Sequence, residues 1–141
     1  MQIFLPYISP LKTAQSLDPR RLNKQVIECN QILKAISGES NAWRNHPIVK
    51  MYSKHTKFVK LYRDVLTLYR SSHSISDEIL KLDKEAMQNA PKFITEEYLD
   101  NTKKRLFTKL PDYYSAFAHL GKSYTNMYYV DGAWKRFEQN K

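Results

Sequence analysis

A chain of 141 residues with 42% hydrophobic side chains holds one ordinary domain with a real core, expected to span residues 1–141. Its mean hydropathy of −0.62 and the lack of any apolar run near the ~20 residues a bilayer demands exclude a membrane-spanning helix, and a single cysteine, Cys29, excludes an internal disulfide or a multi-cysteine metal site. Twenty-three Lys and Arg against 14 Asp and Glu give a net charge of +9, which points to a polyanionic partner, nucleic acid ahead of a membrane surface.

The opening MQIFLPYISP has no basic n-region and is broken by Pro6, so it reads as a short apolar strip and a poor signal peptide. A reducing, intracellular location, cytoplasmic by default, is expected. Ser9-Pro10 is an N-cap with proline at the first helical position. Asp18-Pro19 repeats that signal and opens a helix to about Ser37, stopped by Gly38. Leu22, Val26, Cys29, Leu33 and Ile36 share one face of it as a buried stripe. Asn45-His46-Pro47 opens a longer helix to about Arg70, with Ile48, Tyr52, His55, Val59, Tyr62, Leu66 and Tyr69 as its stripe; the spacing predicts the central packing element. Ser71 to Ser76 is a polar turn, and Ser76 caps a helix that Ala90-Pro91 ends. Thr95, followed by Glu96 and Glu97, caps another to about Leu110, whose later turns carry Lys103, Lys104, Arg105 and Lys109. Pro111-Asp112 starts a short helix through His119, and an irregular aromatic-rich tail follows Gly121. No segment alternates, so the expected fold is all-α, a compact single-domain helical bundle with a long central helix.

On the second helix, Arg21, Lys24, Gln25 and Glu28 share one side beside the apolar stripe. The simplest reading of that pattern is an exposed Lys24–Glu28 ion pair; the chemical reading is a carboxylate kept ionised to stabilise a cationic, sugar-like transition state. Trp43-Arg44-Asn45-His46-Pro47 sits at a loop-to-helix junction, where backbone N–H groups can receive a phosphate or where His46 or Asn45 caps the helix and Trp43 plugs the core. His55 and Cys29 lie on apolar stripes and read as core. No phosphate-binding glycine loop, zinc spacing or serine-hydrolase motif is present, so any enzyme here is expected to work without metal or cofactor.

Met1-Gln2-Ile3-Phe4-Leu5-Pro6-Tyr7, the stretch Leu17 to Gln25 with Glu28, and Trp43 to Pro47 together resemble the pyrimidine-dimer DNA glycosylase family, which includes the phage-type endonuclease for UV-damaged DNA. The likeness is strong over the first 50 residues and looser around Pro91 to Phe93, Lys103 to Leu106 and Pro111 to Tyr114. It implies a helical fold with the amino terminus in the active site: the α-amine attacks C1′ of a damaged nucleotide, displaces the base, forms a Schiff base and nicks the strand by β-elimination. The resemblance assigns catalysis to Met1 and Glu28 and no metal. Position 2 holds Gln2 where the phage-type enzyme exposes a small threonine, so the methionine is expected to be retained. Ile27 and Gln31 stand where arginines flank the glutamate in that enzyme. The expected DNA contacts are Gln2, Arg20, Arg21, Lys24, Gln25, Trp43, Arg44, Asn45, His46, Lys103, Lys104 and Arg105, with Tyr113, Tyr114, Tyr128, Tyr129 and Trp134 as candidates for wedging or stacking and Val130 to Lys135 as a tail against the DNA. The implied partner is double-stranded DNA with a damaged or modified base, met by a monomer away from any membrane. Two other readings stay open: a non-catalytic nucleic-acid-binding protein on the same scaffold, and a helical protein-interaction module.

Overall fold

A computed structural model describes residues 1–139, which form six α-helices, one 3₁₀ segment and a two-stranded hairpin. The first helix, α1 (Pro10–Ser16), starts where Ser9 Oγ accepts the Lys12 N–H, with Pro10 in the first turn. α2 (Pro19–Ser37) repeats the device through Asp18 and ends on Gly38, whose φ of 83° is open to a residue without a Cβ. α5 (Asp77–Gln88) and α6 (Glu96–Lys109) are capped by Ser76 and Thr95.

The long central helix is broken. The expected run from Pro47 to Arg70 is two helices, α3 (Pro47–Tyr52) and α4 (Thr56–Ser72), separated at Ser53–His55. Ser53 Oγ donates to the Lys50 carbonyl, and His55 leaves helical geometry at φ −131°. Both pieces bury their share of the stripe, Ile48 and Tyr52 on α3 and Val59, Tyr62 and Leu66 on α4. Their partners differ: α3 packs on the C-terminal hairpin and α2, whereas α4 packs on α1, α2 and α5. One straight rod could not serve both.

The tail is also regular. β1 (Thr125–Val130) pairs antiparallel with β2 (Ala133–Glu138), Val130 opposite Ala133 and Tyr128 opposite Lys135. Asp131 and Gly132, at φ 55° and 77°, supply the two positive-φ positions of a tight hairpin turn. The fold is therefore mostly helical and not all-α. The helix expected over Pro111 to His119 is a turn followed by a 3₁₀ segment, Ser115–Leu120.

One main core runs through the molecule, and the amino-terminal strip passes into it: Ile3 and Leu5 are 2% and 0% exposed. An extended chain with no neighbouring strand must find side-chain partners for its backbone groups. Gln25 supplies two, accepting the Phe4 N–H at 2.6 Å and donating to the Gln2 carbonyl at 2.7 Å. Tyr62 donates to the Phe4 carbonyl at 2.6 Å and Tyr98 to that of Ile3 at 3.3 Å.

Two polar anchors fix α1 and α2. Buried Asp83 accepts the Ser9 hydroxyl at 2.9 Å and the Leu11 N–H at 2.8 Å. Asp83→Asn keeps the shape and loses the charge, so urea denaturation is expected to show a loss of about 1–2 kcal/mol. Burial alone would raise the Asp18 carboxyl, but the Tyr114 hydroxyl and the Arg21 guanidinium and N–H outweigh it and hold its pKa below the ordinary value. A carboxyl depressed on folding contributes stability that is full above its unfolded pKa of about 3.9 and lost as pH falls through the folded value. The melting temperature is expected to fall below about pH 4, with a shallower acid limb in Tyr114→Phe. Parallel acid limbs in the two proteins would assign the effect to other carboxylates.

Candidate active site

Glu28 lies on α2 with 8% of its surface exposed. Its Oε2 accepts the Gln2 N–H at 3.1 Å, and its Oε1 faces the Lys24 ammonium at 3.8 Å. The Lys24–Glu28 pair of the simple reading is real, but the other carboxylate oxygen is committed to the amino-terminal strip at Gln2, the residue after Met1. Lys24 itself is largely exposed.

His46 caps α3: its Nδ1 accepts the Ile48 N–H at 3.1 Å, so the proton of the neutral ring sits on Nε2. Partial burial and the nearby Met1 amino group both lower its pKa, which favours that neutral form. The structure thus brings Met1, Glu28 and His46 into one neighbourhood. The His46 ring meets Trp43 and Tyr128 edge-on at 5.9 and 5.8 Å. Trp43 is no core plug: it is 49% exposed and held at φ 66°, a conformation that a bulky residue seldom adopts. Arg20, Arg44 and Asn45 are exposed as well.

The basic helix divides its cations. Lys103 pairs with Asp100 at 3.7 Å and lies over the Tyr7 ring. Lys104 is half-buried. Arg105 is buried, with its guanidinium bonded to the Gln2 side chain and, at 3.1 Å, to Gln139 Oε1. Arg105 and Gln2 therefore spend their polar groups inside the protein, not as surface contacts. Gln25 is likewise consumed by the strip.

Lys109, not among the residues singled out from sequence, joins the site. Its pKa is lowered by partial burial and by the neighbouring Arg105, Arg21 and Lys24 cations, with Glu28 opposing. Arg21, Lys24, Arg105 and Glu28 all lie near enough to act on the Lys109 charge. The spacing of Lys109 one turn beyond Arg105 was the available signal.

A family model described as pyrimidine dimer DNA glycosylase matches residues 1–71. The chain belongs to that family. The match to the glycosylase model covers the amino-terminal strip, Glu28 and the Trp43–His46 segment, that is, all the N-terminal residues of the site. The parts that close the site from the other side, Arg105, Lys109 and the hairpin, lie beyond it. No curated protein and no solved structure matches the chain.

Other expectations resolve by burial. Tyr114 and Tyr128 are core residues, Tyr129 stacks on Phe93 and Trp134 meets it edge-on, whereas Tyr113 is half exposed. His55 packs edge-on to Phe93, and burial pushes the Cys29 thiol up, which keeps it unreactive. Among the described residues no group of His, Cys, Asp and Glu is placed to hold a metal ion, and no helix is long and apolar enough to cross a membrane.

Proposed function

We propose that this glycosylase-family chain couples base removal to AP lyase chemistry on double-stranded DNA, with the Met1 α-amine as nucleophile and Glu28 as its carboxylate. The amine attacks C1′, the C1′–N bond breaks and the base leaves with a proton. The C1′–O4′ bond of the sugar ring then breaks, with O4′ taking a proton, and leaves an imine that is cationic when protonated; loss of a C2′ proton breaks the C3′–O bond and releases the downstream strand with its 5′ phosphate. Water finally hydrolyses the imine and returns the amine. An α-amine suits this work because, as a class, it ionises about 2.5 pH units below a lysine ammonium.

The observation that carries the reading is the buried Glu28 carboxylate, bonded at 3.1 Å to the N–H of Gln2, the residue that follows Met1. A carboxylate held there can balance an iminium and accept or return its proton. Exposed Arg20, Lys24, Arg44 and Lys109 are suited to phosphates, and half-exposed Trp43 to an unstacked base. Binding through several phosphates should weaken steeply with salt.

Borohydride reduction on duplex DNA with an abasic site, followed by mass spectrometry, tests the chemistry. A covalent adduct on the residue-1 amine, lost when that amine is acetylated, is the expected result. Salt-sensitive DNA binding with no adduct from a free amine would leave a binding protein on the same scaffold.

A further inference from the structure

We infer that Gln2 is a positioning residue that sets the amino terminus in register with Glu28, and that Arg105 and Asn126 act through it. The inference rests on the amine chemistry proposed above. Chain termini ordinarily fray unless they are tied down. Here residue 2 is held at four points. Its N–H donates to Glu28 at 3.1 Å and its carbonyl accepts from Gln25 at 2.7 Å. Its side-chain oxygen accepts from the Arg105 guanidinium, and its side-chain nitrogen donates to Asn126 Oδ1.

The two ends of the side-chain amide are not interchangeable. A guanidinium can only donate, so it takes the Gln2 oxygen, which turns the Gln2 NH₂ toward the Asn126 acceptor. Arg105 is fixed in turn by burial and by Gln139, and Asn126 by its place on β1 opposite Phe137. The void beside Gln2, bounded by Ile48, Tyr98, Thr102 and Tyr128, is about 10 Å³. That is room for one water at most and for no second side-chain position.

The consequence falls on the amine. With the Met1–Gln2 peptide plane pinned through the Gln2 N–H, the Met1 nitrogen keeps one backbone rotation, about Met1 Cα–C. It sweeps a circle of radius about 1.4 Å. Freeing Gln2 restores the rotations that this bond removes, and reactions that depend on near-attack geometry lose rate when their groups wander. The clamp thus acts on the rate of imine formation and not on DNA affinity.

Single-turnover borohydride trapping at saturating abasic DNA reads that rate directly, with binding and melting measured in parallel. Gln2→Met preserves length and a large residue after Met1 while deleting the amide. Asn126→Leu attacks the clamp from its other end, and Asn126→Asp keeps the contacted acceptor. Gln2→Met and Asn126→Leu are expected to slow trapping by about 10- to 100-fold with Kd changed less than about threefold. Asn126→Asp should recover most of the rate lost in Asn126→Leu, and the double variant Gln2→Met, Asn126→Leu should be no slower than Gln2→Met. Wild-type rates in both single variants would overturn the inference alone, as would a loss that tracks melting temperature or appears equally in Kd. Absence of any adduct from wild type would overturn the amine reading and this inference with it.

Discussion

Glu28→Gln is expected to slow single-turnover cleavage of abasic DNA by about 10²- to 10⁴-fold, the range typical of a lost acid–base group. The substitution is conservative where structure is concerned. The amide oxygen can still accept the Gln2 N–H that Glu28 accepts at 3.1 Å, so the amino-terminal strip keeps its anchor. What disappears is the negative charge in a neighbourhood that holds Arg21, Lys24, Arg105 and Lys109. Without it an iminium forms among cations with no counter-ion, in a place where burial makes repulsion stronger than in water. DNA affinity should hold or rise, because one negative charge that repels phosphates has been removed. Cleavage, trapping and binding measured together decide the matter. Undiminished cleavage by Glu28→Gln would remove the carboxylate from the mechanism.

Gln25→Leu carries the second large effect, this time on stability. Gln25 is 1% exposed, and its amide completes two backbone groups of the strip, the Phe4 N–H and the Gln2 carbonyl. Leucine fills similar space and leaves both half-buried groups without that partner. At ~1–3 kcal/mol for each unsatisfied group, the loss should be about 4 kcal/mol in urea denaturation. Gln25→Glu should fall between wild type and Gln25→Leu, since a carboxylate can accept the Phe4 N–H but cannot donate to Gln2. Because Tyr62 and Tyr98 still hold the Phe4 and Ile3 carbonyls, the strip should loosen first at residues 1 and 2. Trapping should therefore fail at urea concentrations below the global transition. A loss under about 1 kcal/mol would mean that water replaces the Gln25 amide.

Local chemistry made the helix starts legible. Ser9-Pro10, Asp18-Pro19, Ser76 and Thr95 all cap as their sequences imply, since a cap depends on a few adjacent residues. The break at Ser53–His55 was hidden because the four-and-three stripe runs straight through it. Periodicity reports which residues are buried and not which partners bury them. The hairpin had its Asp131-Gly132 signal, but Met127, Tyr128 and Val130 on β1 are all buried, so the usual in-and-out alternation is missing. At the site, the spacing on α2 placed Lys24 and Glu28 together, while the burial of Arg105 could not be read from a run of basic residues. Lys103, Lys104 and Arg105 look alike in sequence and point to three different environments, because successive positions on a helix face different ways.

The seat of Gln2 is built from distant parts of the chain. The residues that grip its side chain follow it by 103 and 124 positions, so its seat is complete only once distant segments have come together. Contacts of such sequence separation form late, after loop closure has brought distant segments together. Until the hairpin docks, the Gln2 side chain lacks its Asn126 partner. On the amine chemistry proposed above, reactivity toward DNA then belongs to the completed fold and not to any one segment of it.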